Sequence, residues 1–149
     1  MIPEFDPHGL LPPGVHSCTM SEIGERFCWT SRRQFLFDGL QKFVTTVLPD
    51  IGFVGPILVD GSFARKKEEP GDIDVILDTT GMEETSFILL AYKVFENRPL
   101  WKDGFLVEAM VYSPNLPLNI VDFFQYIGEK AAAELNLDLK HPKGILRLP

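Results

Sequence analysis

ILVDGSFARKKEEPGDIDVILD, residues Ile57 to Asp78, reads as strand, turn, charged loop and second strand. Ile57-Leu58-Val59 is a short aliphatic run and predicts a strand. Gly61-Ser62 directly after it predicts a sharp turn, and Asp72 to Asp78 predicts a second strand. Side chains at i and i+2 of a strand lie on one face. Asp72 and Asp74 therefore project together, while Ile73, Val75 and Leu77 face the other way, into a core. Two carboxylates held side by side repel, and each raises the other's pKa unless a cation sits between them. Mg2+ suits such a position because it takes oxygen ligands and accepts phosphate oxygens as the remaining ones. Two such ions, about 3.5–4 Å apart, would clamp the attacking and leaving oxygens of a phosphoryl displacement.

The turn between the strands carries its own signal. Glycine lets the backbone bend sharply and approach a phosphate, and Ser62 offers it a hydroxyl and an amide. Arg65, Lys66 and Lys67 follow, placed to neutralise the β- and γ-phosphates of a nucleoside triphosphate; the alternative is a solvated charge run. Glu68 to Gly71 shape the return to the second strand.

Moving outward, a third carboxylate is needed. Glu108 lies in the apolar run Phe105-Leu106-Val107-Glu108-Ala109-Met110-Val111, read as a third strand. A lone glutamate in such a run is rarely buried without a partner. Beside Asp72 and Asp74 it would ligate the metal and help deprotonate an incoming hydroxyl; otherwise it points to solvent. Asp122 is the rival, within Ile120-Val121-Asp122-Phe123-Phe124, which reads better as a helix first turn.

Thr19-Met20-Ser21-Glu22 matches a capping box and predicts a short helix to about Phe27. A longer helix is expected from Ser31 to about Leu48, ended by Pro49, with Arg32, Arg33 and Lys42 on its solvated face. Glu83 to Phe95 predicts another, with Pro99 beyond its end. Trp101 to Val111 then holds the third strand, and a last helix spans about Ile120 to Leu135. The tail from Lys140 ends in a short apolar segment read as an edge strand. Residues 1–16 contain four of the twelve prolines and two glycines, which predicts an extended segment. Its Ile2, Phe5, Leu10, Leu11 and Val15 are apolar enough to pack along the domain or against a partner.

At 149 residues, 45% hydrophobic and 23% charged, the chain is long enough for one domain with a real core. A net charge of −7 argues against strong free-standing DNA binding. It leaves nucleotide substrates open, since a metal can supply positive charge. Cys18 and Cys28 read as two thiols without zinc-ligand spacing. The N-terminus is neither basic nor continuously apolar, and no apolar run approaches a membrane span, so no membrane association and a cytoplasmic location are expected.

Val59-Asp60-Gly61-Ser62, nine residues, then Asp72-Ile73-Asp74-Val75 resembles the signature of the polymerase-β-like nucleotidyltransferase superfamily, and residues 51–112 resemble its minimal forms. The whole chain is also similar to a group of small prokaryotic proteins that share IPxFDxxGLLPPGxH, DGSFxxxKxxPGDIDV and a terminal KGIL. Here those motifs are Ile2 to His16, Asp60 to Val75 and Lys143 to Leu146. The resemblance implies an α/β (α+β) fold: a small mixed sheet flanked by helices, an extended N-terminal arm over 1–18, and one domain over 19–149. By the same resemblance Gly61 and Ser62 hold phosphate, and Asp72, Asp74 and Glu108 are metal ligands and catalytic. The implied activity is Mg2+-dependent transfer of a nucleoside monophosphate from an NTP to a hydroxyl on a protein or RNA. A toxin–antitoxin or defence pair is one setting for it. A non-catalytic, antitoxin-like binding subunit is the alternative. Larger relatives of that superfamily carry a C-terminal helical domain that grips the base. This chain has only a final helix and tail, so base selection would be weak, or supplied by a second subunit, a protein partner or a second copy.

Overall fold

The strand–turn–strand stretch lies at the centre of a five-stranded sheet in the computed structural model, which describes residues 1–149. Elements follow in the order β1 (Gly14–Ser17), α1 (Met20–Phe27) and α2 (Ser31–Lys42). α2 continues through a π-helical turn, Phe43–Val47, into α3 (Leu48–Asp50). After β2 (Ile57–Asp60), a 3-10 turn (Ser62–Ala64) and β3 (Ile73–Asp78), the long α4 (Glu84–Phe105) leads to β4 (Val107–Tyr112). Two short helices, α5 (Ile120–Phe123) and α6 (Glu129–Leu135), precede β5 (Gly144–Leu148).

The sheet order is β1-β5-β2-β3-β4, with β1 parallel to β5, β2 antiparallel to both β5 and β3, and β3 parallel to β4. The expected α/β architecture, a small mixed sheet flanked by helices, is what the chain adopts. Its two faces differ. Ile57, Val59, Ile73, Val75, Leu77, Val107, Ala109, Leu146 and Leu148 join α1, α2 and α4 in the main core. Leu58, Ile76 and Ile145 alternate to the opposite face, where only Met110, Tyr112 and the α5 region cover them. That thinly covered face carries the acidic residues.

Several boundaries differ from the sequence reading, each for a physical reason. Proline does not end either long helix. Pro49 sits in the first turn of α3, and Pro99 lies inside α4. Pro99 and Phe95, four residues earlier, are both exposed, so the backbone carbonyl left without a donor falls on the solvent side. The opposite side of α4 anchors it through Leu90, Val94 and Trp101, all buried, with Trp101 edge-on to Phe43 at 5.3 Å. The helix therefore runs past the expected end near Phe95 and takes Phe105, read as the start of the third strand; α4 stops at Leu106 in a left-handed conformation (φ 54°). The expected helix over 120–135 is two helices, with Gly128 starting the second and Tyr126 bridging to Pro142.

The tail strand β5 is interior, not an edge, because β1 covers its free side. That strand comes from the proline-rich segment, which is built into the fold. Ile2 and Leu11 enter the main core, and Leu10 packs with Ile127 and Ala132. Asp6 Oδ1 accepts from the amides of His8 and Leu10, and Arg26 donates to the carbonyls of Ile2 and Pro3. No helix is long and apolar enough to cross a membrane.

Candidate metal centre

β2, β3 and β4 end together on the thinly covered face, and their register places acids in a row. Asp60 on β2 pairs with Asp74 on β3, and Asp74 pairs with Glu108 on β4. Asp72 immediately precedes β3. Ligand oxygens of Asp72, Asp74 and Glu108 all lie within 4.8 Å of one another. The three carboxylates singled out from sequence thus converge, whereas Asp122 stays on α5 bonded to Asn119.

Gly61 makes this convergence sterically feasible. Its φ of +85° with ψ −165° is backbone that side-chain-bearing residues avoid. A Cβ there would stand 2.6 Å from Asp74 Oδ2. The turn glycine therefore brings its backbone against the second aspartate, and Ser62 follows as the first residue of the 3-10 turn.

Burial pushes the Asp74 carboxyl up to about 7, and the charges of Asp60, Asp72 and Glu108 add to that push, against a smaller pull from Lys102. No ion pair neutralises Asp74, while its neighbours have partners. Lys102 donates to Asp72 Oδ2 at 2.5 Å and to Glu108 Oε2 at 3.1 Å, and Arg98 lies 3.5 Å from Glu108 Oε1. The hydrogen bond to Asp72 holds the Lys102 ammonium protonated. Asp60 is buried and receives Lys143. Burial pushes the Asp60 carboxyl up, with Lys143 opposing.

An all-oxygen donor set carrying surplus negative charge fits a hard divalent cation such as Mg2+ or Mn2+ and offers nothing to a thiophilic one. Asp72, Asp74 and Glu108 are the residues that would hold it.

The basic loop behaves differently from its sequence reading. Arg65 is buried and donates to Glu134 on α6 at 2.5 Å, and Lys67 donates to the same carboxylate at 3.0 Å. These two bonds hold the Glu134 carboxyl down to about 2. Lys66 alone of the three is exposed and without an acidic partner, and its amide donates to the Gly9 carbonyl. Phosphate neutralisation by Arg65 and Lys67 would thus compete with Glu134.

Sequence reasoning also misplaced Arg33. Far from lying on a solvated face, it is fully buried, with its guanidinium 3.7 Å from the centre of the Trp29 ring. It donates to the carbonyls of Phe27, Ser62, Phe63, Arg65 and Lys67, while Arg32 donates to those of Pro70 and Gly71. Adjacent arginines on α2 therefore fasten both halves of the 62–71 loop. The available signal was Trp29 four residues before Arg33, an aromatic platform for a guanidinium. Lys102, one turn after Arg98, had no sequence signal while the helix was taken to stop near Phe95.

The chain belongs to a family described as a family of unknown function (DUF6932), whose model matches residues 3–149. No curated protein and no solved structure matches it significantly.

Proposed function

We propose that this chain is a divalent-cation-dependent nucleotidyltransferase, moving a nucleoside monophosphate from an NTP to a hydroxyl of a protein or RNA acceptor. The observation that carries this reading is the convergence of Asp72, Asp74 and Glu108 beside the Gly61-Ser62 turn. A bound Mg2+ would neutralise phosphate charge and polarise the phosphoryl group under attack. The protein's share is positioning. Asp72, Asp74 and Glu108 orient the ligand oxygens from rigid strand ends, and Gly61 and Ser62 present backbone and hydroxyl to a phosphate. Asp74 would give up its proton to the solvent on holding a cation. Glu108, partly exposed on β4, accepts the acceptor hydroxyl's proton as the new phosphoester forms and pyrophosphate leaves. The implied setting is the cytoplasm, with a toxin–antitoxin or defence pair as the physiological context.

Transfer of label from each α-labelled NTP to host lysate, with an Asp72→Asn/Asp74→Asn double variant as control, tests the reading. Label on a protein or RNA with the wild type alone supports it. Equal labelling by both proteins would remove the triad from the chemistry.

One observation favours a second reading, a partner-binding subunit without turnover. α4 exposes Ile88, Leu89, Tyr92, Phe95 and Leu100, each more than half accessible, on the side away from the core. A contiguous apolar face of this kind is a common mark of a protein contact. Retained Mg2+-dependent NTP binding without pyrophosphate release over a panel of acceptors, together with capture of a second chain by α4, would select this reading.

A further inference from the structure

We propose that Lys102 permanently occupies one of the two cation positions of the acidic cluster, so that the folded chain itself binds one divalent ion where the sequence pattern implies two. The inference rests on the metal reading above and concerns how many ions the protein alone can hold.

The geometry supporting it lies in the last two turns of α4. Lys102 Nζ stands 2.5 Å from Asp72 Oδ2 and 3.1 Å from Glu108 Oε2, bridging a carboxylate before β3 and one on β4. A metal ion shared by those two residues would use the same oxygens. The ammonium is delivered by a fixed backbone. Its neighbour Trp101 is buried against Phe43, and its own carbonyl accepts the Leu106 amide that closes the helix. Arg98, one turn earlier on the same side, adds a second positive charge at 3.5 Å from Glu108.

Asp74 is the exception. It has no ion pair and lies against the Gly61 backbone. The three carboxylates and the two bases of α4 leave one net negative charge. One divalent ion at Asp74, reaching the Asp72 oxygen that Lys102 leaves free, more than satisfies it. A second would sit within a few ångströms of the ammonium, where two cations repel strongly. Lysine is suited to the role as a compact point charge on a flexible stem. Asp60, the remaining acid in the row, is already neutralised by Lys143 and adds no demand for metal.

Counting bound Mn2+ by the electron paramagnetic resonance of the free ion, without nucleotide, tests this directly. The wild type should bind one ion per chain and Lys102→Met two. Lys102→Arg, which keeps the positive charge, should bind one. Lys102 is 44% exposed, so its neutral variants should fold; Lys102→Gln serves as the second neutral variant, and circular dichroism checks each. Two ions in the wild type would overturn the inference, as would one ion in both neutral variants. No Mn2+ in any variant would instead overturn the metal reading itself.

Discussion

Asp74 stands at the centre of the acidic row, between Asp60 and Glu108, and its pH behaviour has a definite sign. Its folded pKa of about 7 lies above the ordinary value of 3.8, so the folded chain binds more protons at this site than the unfolded chain between those limits. Stability therefore falls as pH rises from about 4 through about 7, and levels off beyond. A divalent ion bound there would reverse the penalty by favouring the ionised carboxylate. In metal-free buffer Asp74→Asn should remove this share of the pH dependence. It should also raise the melting temperature at pH 8 by at least about 3 °C, the shift that roughly 1 kcal/mol produces in a chain of this length. Thermal melts at pH 5 and pH 8, with and without Mg2+, check both. An unchanged or lower melting temperature at pH 8 would contradict the assignment.

Arg33 gives a second prediction at the same scale. Its guanidinium serves five backbone carbonyls, four of them in the 62–67 turn, and it has no carboxylate partner. Arg33→Met leaves buried carbonyls without donors and should cost about 3–5 kcal/mol in urea unfolding. Arg33→Lys should recover only a minor part, because an ammonium cannot reproduce the planar fork. Full recovery by lysine would show that charge, not geometry, holds the loop.

Among the elements, α4 has the most to position. It crosses from β3 to β4 and supplies Arg98 and Lys102 to the acids at the strand ends. Its C-terminal end is packed tightly on α2: a Cβ at Gly39 would lie 2.4 Å from the Phe105 carbonyl oxygen. Gly39→Ala must push the helices apart, at about 1–3 kcal/mol, partly offset by alanine's roughly 1 kcal/mol better helix propensity. A lower melting temperature together with added Mn2+ binding is expected, since displacement of α4 draws Lys102 away from the carboxylates it bridges. Unchanged values for both would show that α4 is not the positioning element.

How much of α4 and its neighbours was legible follows from which signals were local. The capping box at Thr19 to Glu22 was visible because both partners are three residues apart, and both of its hydrogen bonds form. The i, i+2 placement of Asp72 and Asp74 follows from strand geometry alone. The helix across Pro99 could not be read, because its tolerance depends on which side of the helix faces solvent, a fact of tertiary packing. Interior β5 was hidden for a related reason: it pairs with β1 from the opposite end of the sequence, and proline-rich composition concealed that strand.

On the scale of the molecule, one sheet face is sealed by three helices while the other remains thinly covered, and the acids lie on the second. This asymmetry lets carboxylates cluster at strand ends beside a hydrophobic core without entering it. The third carboxylate was anticipated from its apolar surroundings, and the register confirms its adjacency: Glu108 stands directly beside Asp74. The bases that answer the acids were not anticipated. Lys143 comes from the far end of the chain, and Arg65 and Lys67 meet Glu134 across more than sixty residues. Such pairings depend on the closed fold and leave no local pattern.

In the proposed function these carboxylates hold a cation that in turn holds a nucleotide. Calorimetric titration of the wild type and Asp74→Ala with each NTP, in Mg2+ and in EDTA, tests it most directly. Saturable binding of at least one NTP by the wild type in Mg2+ is expected, with a loss of at least about tenfold in affinity on chelation or in the variant. Equal affinity in both proteins, or binding indifferent to EDTA, would contradict it.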